Sequence, residues 1–302
     1  MKKVQVLLST FNGEKFLAAL MDSLLQQDYP NIEILVRDDG SEDGTLSILS
    51  QYASFGNVSI FEGRNLGVPK SYFKLIQMSS PSVDCYAFCD QDDIWEKDKI
   101  SRAVGFLEQL PQATPSLYCS SVVLVDEDLN VIGRSQIPRR GPSFENALVQ
   151  NITTGCTIVI NKASRQLLLR KIPETARMHD WWIYLVISAF GKVIYDAEPR
   201  ILYRQHSSNV IGVKVGTIAK WAARIQRFLK TSRLPLVTKQ AERFRKIYGP
   251  SLTLEKKAIL DRFIDSRKSF TGRLGYAFSG EVYRQTTIDN IILRLLIIMD
   301  RV

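Results

Sequence analysis

The chain has 302 residues, of which 45% are hydrophobic and 24% charged, a balance that supports a folded core and excludes a disordered or fibrous protein. Its formal net charge of +9 lies at the C-terminal end, because residues 221–302 hold 17 Lys and Arg against 7 Asp and Glu. Such a basic segment indicates a solvated helical surface or an anionic partner. The apolar runs fall short of the roughly 20 residues that cross a bilayer, and no secretory leader is recognisable, so we expect a cytosolic protein.

Short apolar runs alternate with helical spacing over the first hundred residues. This pattern predicts strands over 4–8, 32–36, 58–61 and 85–89, and helices over 16–25, 46–52, 69–78 and 94–107. Strands that alternate with helices form a parallel sheet covered on both faces. Such sheets bind ligands beyond the carboxyl ends of their strands.

The second part of the chain is less regular. It predicts strands over 117–125, 157–160 and 193–203 and helices over 162–171 and 181–190, and helical patterns dominate from residue 221. The last of these helices carries an apolar face made of Ile288, Ile291, Ile292, Leu295, Leu296 and Met299. This face either packs on protein, including another subunit, or lies on an anionic membrane.

Polar residues follow each of the first four predicted strands, in the segments 9–13, 37–41, 62–67 and 90–93. Since the carboxyl ends of parallel strands meet at one edge of a sheet, we expect these segments to form one site. Segment 38–41 is either a turn or an acceptor for the N–H of a base.

Three acids, Asp90, Asp92 and Asp93, lie within four positions directly after a buried strand. They form either a plain acidic turn, in which Asp93 caps the helix over 94–107, or a metal and nucleotide site. Crowded carboxylates repel one another, and a divalent cation offsets that repulsion. Mg²⁺ and Mn²⁺ take carboxylate ligands and complete their shell with phosphates and water.

Other chemistries are disfavoured by what the sequence lacks. The cysteines, at 85, 89, 119 and 156, contain no C-x-x-C pair, so we interpret them as buried reduced thiols rather than a zinc or redox site. G-x-G-x-x-G, G-x-x-x-x-G-K and G-x-S-x-G motifs are also absent from the sequence, which argues against the ordinary dinucleotide, P-loop and serine-hydrolase sites.

Four segments together resemble glycosyltransferase family 2, the inverting enzymes of the GT-A fold: VLLSTFNG at 6–13, VRDDGS at 36–41, RNLG at 64–67 and DQDDIW at 90–95. With HDWW at 179–182 and RQHSSNV at 204–210, the chain is similar to bacterial rhamnosyltransferases of surface polysaccharide synthesis. The resemblance spans about residues 3–210. It implies an α/β fold with a mostly parallel, Rossmann-like sheet flanked by helices, and a basic helical C-terminal extension.

The same resemblance divides the chain into three parts. Residues 1–110 would be the nucleotide-sugar-binding half of the GT-A domain, 111–220 the acceptor-binding half, and 221–302 the basic helical tail. The nucleotide sugar would be lined by Ser9, Thr10, Asn12, Asp39, Arg64, Asn65, Asp90 and Gln91. Asp92 and His206 would hold Mg²⁺ or Mn²⁺, although the residue pattern around His206 is equally compatible with a donor to the diphosphate.

Asp180 is the general base that the resemblance implies, for the acceptor hydroxyl must lose a proton as it attacks the sugar. From its position alone, Asp180 also reads as the N-cap of an apolar helix. The residues predicted to face the acceptor are Asp93, Trp95, Thr154, Gly155 and Trp181. His179 is interpreted as a surface residue or a hydrogen-bonded polar one.

We therefore expect transfer of a single sugar, L-rhamnose from dTDP-rhamnose, onto a lipid-linked surface glycan. The protein would act in the cytoplasm, at the inner face of a bacterial plasma membrane, with anionic lipid or a second subunit as partner of the tail and no nucleic acid. The Gln-x-x-Arg-Trp signature of processive members is absent, and Arg204-Gln-His stands in its place. Alternatives are a UDP-sugar donor, a nucleotidyltransferase, and a non-catalytic basic binding module.

Overall fold

The computed structural model describes residues 1–174, 176–206 and 236–302. The first elements are β1 (Val4–Thr10), α1 (Glu14–Leu25), β2 (Ile32–Asp38), α2 (Thr45–Ala53), β3 (Val58–Glu62), α3 (Val68–Met78), β4 (Cys85–Cys89), β5 (Ile94–Trp95) and α4 (Lys99–Glu108). Then come β6 (Ser116–Ser120), β7 (Val123–Val125), β8 (Val131–Arg134), α5 (Phe144–Val149), β9 (Val159–Asn161), α6 (Lys162–Leu169), α7 (His179–Phe190), β10 (Lys192–Asp196) and β11 (Ile201–Arg204). The tail contains α8 (Leu236–Tyr248), α9 (Leu254–Asp265), α10 (Phe270–Ser279) and α11 (Thr287–Ile298).

A seven-stranded sheet in the order β10-β6-β9-β4-β1-β2-β3 forms the centre of the molecule. β1 pairs in parallel with β2 and with β4, and β2 pairs in parallel with β3. Thr10 lies opposite Asp38, and Leu8 lies opposite Cys89. The carboxyl ends of β1, β2 and β4 therefore share one edge, as the sequence predicts.

β9 is the exception to the parallel arrangement, since it runs antiparallel to both β4 and β6. Its first residues therefore lie at the same edge as the carboxyl ends of the parallel strands. A short 3-10 turn, Gly155–Thr157, precedes it. This reversal brings a segment from the second half of the chain to the polar edge formed by the first half.

A smaller sheet, in the order β5-β11-β7-β8, corrects three expectations. The predicted strand over 193–203 is two strands, β10 and β11, separated by a segment with Pro199, which has no backbone N–H to donate. The predicted strand over 117–125 is likewise divided between the two sheets. The helix predicted over 94–107 begins at Lys99, because residues 94–95 pair with β11 instead, so Asp93 does not cap it.

Helices cover both faces of the large sheet. Side chains of α1, α2 and α4 pack on one face, and those of α3, α5 and α7 pack on the other. The tail helices join the second face, where the ring of Phe244 lies 6.1 Å from that of Trp182 and the ring of Tyr248 lies 5.5 Å from that of Phe190. The four cysteines are buried, as predicted.

The apolar residues of the last helix do not all lie on one side, contrary to what the sequence predicts. α11 buries Leu293 and Ile297 against the rest of the chain, whereas Ile288, Ile291, Leu295 and Met299 are exposed. The helix thus has apolar side chains on two sides. Among the described residues, no helix combines the length and the apolar character needed to span a bilayer.

Candidate active site

The loop after β1 is tied to the loops after β2 and β4. Gln91 holds the backbone of Phe11 by two hydrogen bonds, accepting from its N–H at 2.8 Å and donating to its carbonyl at 3.0 Å. Asn12, whose φ is +47°, accepts from the backbone N–H of Glu42 at 2.9 Å. Gly13 has no room for a side chain, since a Cβ there would lie 2.4 Å from Oε1 of Gln91. The three loops therefore form one rigid unit.

The buried residues Asp38 and Thr10 stabilise this unit by hydrogen bonds from the interior of the protein. The Thr10 hydroxyl donates to the Asp38 carboxylate at 2.8 Å, and Ser41 donates to the same group through its N–H and its hydroxyl. Thr10 is buried. The predicted contact between Thr10 and a nucleotide does not fit this burial, because the hydroxyl is already used inside the protein.

Asp39 lies at the end of β2, where the resemblance expects a base-binding residue. Its carboxylate forms a buried ion pair with Arg37 and accepts from the backbone N–H groups of Leu66, at 2.9 Å, and Gly67, at 2.8 Å. Gly67 has φ +78°, a conformation that favours glycine. Asp39 thus fixes the loop that carries the exposed side chains of Arg64 and Asn65.

Ser9 connects the same network to α3. Its hydroxyl lies 2.6 Å from that of Ser71, which also accepts from Arg37 at 2.9 Å. Ser9 remains partly exposed at the edge of the sheet. Its predicted role at the base stays a prediction.

Asp90 follows β4 and is partly exposed. Its carboxylate accepts a 2.6 Å hydrogen bond from the hydroxyl of Tyr72. Burial raises the pKa of Asp90 to about 7, the negative charges of Asp92 and Asp180 add to the rise, and the Tyr72 hydrogen bond opposes it. Tyr72 also stacks on the ring of His179, the residue before Asp180, with centroids 3.9 Å apart, so one side chain contacts both Asp90 and the start of α7.

Asp92 and His206 are brought together from distant parts of the chain. Nε2 of His206 lies 2.7 Å from Oδ2 of Asp92. Arg204 makes this approach possible, since its Nε donates to the carbonyl of Asp92 at 2.9 Å and its guanidinium lies 4.5 Å from the ring of Phe16. The two predicted metal ligands are therefore neighbours.

Asp93 and Trp95 lie behind this surface and not on it. Asp93 is fully buried and accepts from the backbone N–H of Arg204 at 3.1 Å. Trp95 is buried, with Nζ of Lys99 3.2 Å from its ring centroid. Burial lowers the pKa of Lys99 to about 7. The expectation that Asp93 and Trp95 face the acceptor does not fit these positions, because both side chains support the acidic loop from inside.

The chemistry of the acidic loop fits a divalent cation. Burial raises the pKa of Asp93 well above its usual range, and the charges of Asp92 and Asp90 contribute. Oδ2 of Asp93 has no hydrogen-bond partner among the described residues. Ligand atoms of Asp90, Asp93 and Cys156 lie within 4.8 Å of one another. A cation held by carboxylates and an imidazole at the surface of this cluster would offset the negative charges that contribute to the raised pKa of Asp93.

Asp180 lies in the first turn of α7 and is buried. Oδ2 accepts from the side-chain amide of Asn151 at 2.8 Å, and Oδ1 accepts from the backbone N–H of Trp181 at 2.7 Å. Burial raises the pKa of Asp180 to about 6, and both hydrogen bonds limit the rise. Met178, and not Asp180, occupies the N-cap position. A carboxylate with this pKa is ionised at neutral pH and still basic enough to take a proton.

His179 is buried beside Asp180, which corrects the expectation of a surface or hydrogen-bonded residue. Its ring stacks on that of Tyr72, with centroids 3.9 Å apart. Neither ring nitrogen has a hydrogen-bond partner within the described part of the chain. Burial lowers the pKa of His179 to about 3, so the ring is neutral.

Of the other predicted acceptor-site residues, Gly155 and Trp181 lie next to Asp180, and Thr154 directly precedes Gly155. A Cβ on Gly155 would lie 3.1 Å from Nε2 of His179, so glycine allows the 3-10 turn to approach α7 closely. The backbone carbonyl of the neighbouring Thr154 accepts from the N–H of Thr157 at 2.9 Å. The indole of Trp181 is buried and donates to the carbonyl of Ala147 at 2.7 Å. Contacts of these three residues with an acceptor stay a prediction.

Comparison with known proteins decides the family. A model described as "Glycosyl transferase family 2" matches residues 5–172, more than half of the chain. The chain belongs to glycosyltransferase family 2. A Shigella flexneri protein named dTDP-rhamnosyl transferase RfbG is 27% identical over 97% of this glycosyltransferase and 99% of its own length. A Bacillus subtilis protein named putative teichuronic acid biosynthesis glycosyltransferase TuaG is 24% identical over 68% of this chain and 82% of its own.

Solved structures agree on the fold. A structure of S. aureus TarS in complex with UDP-GlcNAc aligns with a TM-score of 0.59 at 17% identity, over 90% of the glycosyltransferase and 83% of that chain. A Pyrobaculum calidifontis mannosyltransferase in complex with GDP-Man and Mn²⁺ aligns with a TM-score of 0.53 at 17% identity, over 97% and 87% of the two chains. The glycosyltransferase therefore has the GT-A fold that its motifs imply.

Sequence reasoning did not assign Tyr72, Asn151 or the side chain of Arg204. Tyr72 belongs to a helix whose apolar spacing hides its hydroxyl, and Asn151 lies 29 residues before Asp180 in a segment without a recognisable motif. Arg204 stands directly before Gln205-His206 in the quoted motif, so its charge was a visible signal. The glycosyltransferase uses all three to position acidic groups.

Proposed function

We propose that this glycosyltransferase transfers one L-rhamnose from dTDP-rhamnose, with inversion, onto a lipid-linked cell-surface glycan. The proposal is supported by the position of Asp90 and Asp92 directly after β4 and by the buried Asp180 in the first turn of α7. Tyr72 links the two, because it donates to Asp90 and stacks on His179. The name of the Shigella relative, which matches along almost the whole chain, supports the rhamnosyl donor. The name of the Bacillus relative refers to teichuronic acid biosynthesis, which supports a polysaccharide as the product.

The reaction assigned to these residues is a single displacement. The acceptor hydroxyl passes its proton to the Asp180 carboxylate while its oxygen bonds to the anomeric carbon of the donor sugar. The bond from that carbon to the diphosphate breaks, and its electron pair leaves with the diphosphate. Attack from the face opposite the leaving group inverts the anomeric carbon.

Asp92 and His206 are the residues that would hold Mg²⁺ or Mn²⁺, with Asp90 directed to the nucleotide ribose. When bound, the cation acts as a Lewis acid that offsets the charge growing on the diphosphate. Ser9, Asn12, Asp39, Arg64, Asn65 and Gln91 belong to the loops that would surround the base and the sugar. The hydrogen bonds of Gln91, Asp38 and Asp39 would hold these loops in place while the sugar is transferred.

A UDP-sugar donor is the second candidate. It is favoured by the fold similarity to TarS, whose structure contains UDP-GlcNAc. The site residues that would accept a pyrimidine N–H serve uracil and thymine alike. The reaction class and the role of Asp180 are the same for both donors.

We test donor and metal together by thermal unfolding of the purified chain with dTDP, UDP, GDP or ADP, each with Mg²⁺, with Mn²⁺ or with chelator. A ligand that binds only the folded state at about 100 times its Kd stabilises it by about 2.7 kcal/mol. A metal-dependent rise in Tm with dTDP alone supports the rhamnosyl donor, and a rise with UDP alone replaces it with the second candidate. No rise with any nucleotide overturns the proposal.

The proposed setting is the cytoplasm, at the inner face of a bacterial plasma membrane where a lipid-linked acceptor would lie. A homo-oligomer formed through the C-terminal helices is the alternative use of the tail.

A further inference from the structure

An exposed apolar surface lies on the last two helices. α10 and α11 are antiparallel neighbours, since Arg273 near the start of α10 donates to the carbonyl of Ile298 at the end of α11, at 3.2 Å. The exposed apolar side chains of this pair are Phe270, Leu274, Phe278, Ile288, Ile291, Leu295 and Met299. We call these residues the tail face.

The tail face is not needed to hold the helices on the protein. α10 buries Tyr276 and Ala277, and α11 buries Leu293 and Ile297, all within the large hydrophobic core. The exposed residues recur every three or four positions on other sides of the same helices. Exposed apolar patches of this kind, rimmed by polar groups, mark interaction sites.

The charge around the tail face is positive. Residues 266–302 hold six Lys and Arg against three Asp and Glu. Each of the three acids is engaged: Glu281 accepts from Arg262 at 2.9 Å, Asp289 accepts from Thr286 at 2.6 Å, and Asp300 pairs with Arg267. Of the six basic residues, Arg267 and Lys268 are in ion pairs as well, Lys268 with Asp265 at 3.0 Å. The exposed Arg294 lies in the middle of the face, 5.8 Å from the ring of Phe278.

The tail face is connected to the acceptor side of the active site. The chain leading into α11 binds α5 and its end, where the Gln285 N–H donates to Gln150 at 2.8 Å and the Tyr283 carbonyl accepts from Asn146 at 3.0 Å. The residue after Gln150 is Asn151, which holds Asp180. A short series of hydrogen bonds therefore links the segment before α11 to the residue that holds Asp180.

We propose that the tail face docks on a lipid bilayer with anionic headgroups. Apolar side chains between arginines match the boundary between acyl chains and negative headgroups, where apolar burial and electrostatic attraction add. A second copy of this chain would present the same positive charge to itself, which disfavours that occupant. The docking stands on the tail alone, and only its link to a lipid-linked acceptor rests on the proposed function.

The test is flotation of the purified full chain with vesicles of equal parts phosphatidylglycerol and phosphatidylethanolamine, compared with phosphatidylcholine alone. We expect binding to the anionic vesicles that weakens as salt screens the charges. The variant Ile291→Glu with Leu295→Glu should lower partitioning at least about tenfold, because each change removes apolar burial and adds a repelled charge.

Phe55→Glu with Val131→Glu is the matched control. Its side chains are 62% and 67% exposed, against 53% and 52% for Ile291 and Leu295, and they lie outside the tail. The control should bind as the unchanged chain does. Circular dichroism and the nucleotide-induced rise in Tm show that both variants are folded, so loss of docking is separable from failure of the proposed function.

Three outcomes overturn the proposal. In the first, the unchanged chain fails to float with anionic vesicles. In the second, the control variant loses as much binding as the tail variant does. In the third, sedimentation shows a concentration-dependent oligomer that the tail variant abolishes while vesicles bind neither protein. That last result would assign the face to a second copy of the chain.

Discussion

Asp180 combines burial with two hydrogen bonds that favour its charged form. Replacing it by Asn keeps the shape and removes the proton acceptor. We expect Asp180→Asn to lower kcat/KM for sugar transfer by about 10²–10⁴-fold, the usual contribution of a general base. The nucleotide-induced rise in Tm should be unchanged. Transfer at the normal rate would remove Asp180 from the proposed role.

Asn151 sets the proton affinity of Asp180 through one hydrogen bond. Without that donor the ionised carboxylate is less favoured, so the pKa of Asp180 rises above about 6. Since the base acts ionised, activity increases with pH through this pKa, and Asn151→Ala should move the acid limb of the pH–rate profile to higher pH. Asn130→Ala, which removes an exposed amide that donates to Asp126 at 3.1 Å, is the control. An unshifted profile in Asn151→Ala would contradict the assignment.

Asp92 and Asp98 offer a matched pair of carboxylates near the acidic motif. Asp92 lies against His206, whereas Asp98 pairs with Arg200 at 2.8 Å. Asp92→Asn should abolish the difference in nucleotide-induced Tm between metal and chelator, because a neutral amide is a weak ligand for a hard cation. Asp98→Asn should retain that difference. Equal metal dependence in both variants would exclude Asp92 as a ligand.

At the scale of single residues, part of the arrangement of the site could be predicted from the sequence and part could not. The positions of Asp90 and Asp92 directly after β4 and of Asp180 at the start of a helix follow from the motifs, while their chemical roles stay predictions. Asp93 and Trp95 belong to the same motif, yet they are buried, because short β5 turns the chain inward to pair with β11. The role of Asn151 depends on the approach of α7 to the end of α5, which no local pattern reports.

At the scale of elements, the regular βα units of the first ninety residues were predictable because the spacing of apolar residues and the lengths of the apolar runs indicate the same elements there. The predicted strand boundaries were wrong where the chain passes from one sheet to the other. The sequence predicts one strand over 117–125 and one over 193–203, but each of these segments is shared between two sheets. Tertiary pairing, and not local propensity, decides these breaks.

Two glycines, one at the end of α7 and one inside α4, should have opposite effects on the free energy of unfolding when replaced by alanine. A Cβ on Gly191, after α7, would lie 1.8 Å from the carbonyl oxygen of Pro115, whereas one on Gly105 in α4 would meet open space. Gly191→Ala should lower the free energy of unfolding by at least about 1–3 kcal/mol through overpacking. Gly105→Ala should raise it by about 0.5–1 kcal/mol, since alanine favours helix. Urea unfolding of both variants measures the difference, and equal effects would contradict the contact.

At the scale of the whole molecule, the described part of the basic tail, residues 236–302, contributes side chains to the hydrophobic core. Phe244 is fully buried against Phe144 and Trp182. Phe244→Ala should lower the free energy of unfolding by about 3–5 kcal/mol. Phe55→Ala, at a ring 62% exposed, should change it little. A separate early transition in Phe244→Ala, with the rest of the melt unchanged, would show that the tail unfolds independently.

The position of β9 has a consequence for the order in which the chain folds. β4 is buried on both faces, and one of its edges is covered only by β9, whose residues come 70 or more positions later. During synthesis the loops after β1, β2 and β4 are therefore complete while an apolar strand edge is still open, and open edges pair readily with other chains. The GT-A sheet therefore has an uncovered edge that can pair with other chains until residue 161 has left the ribosome.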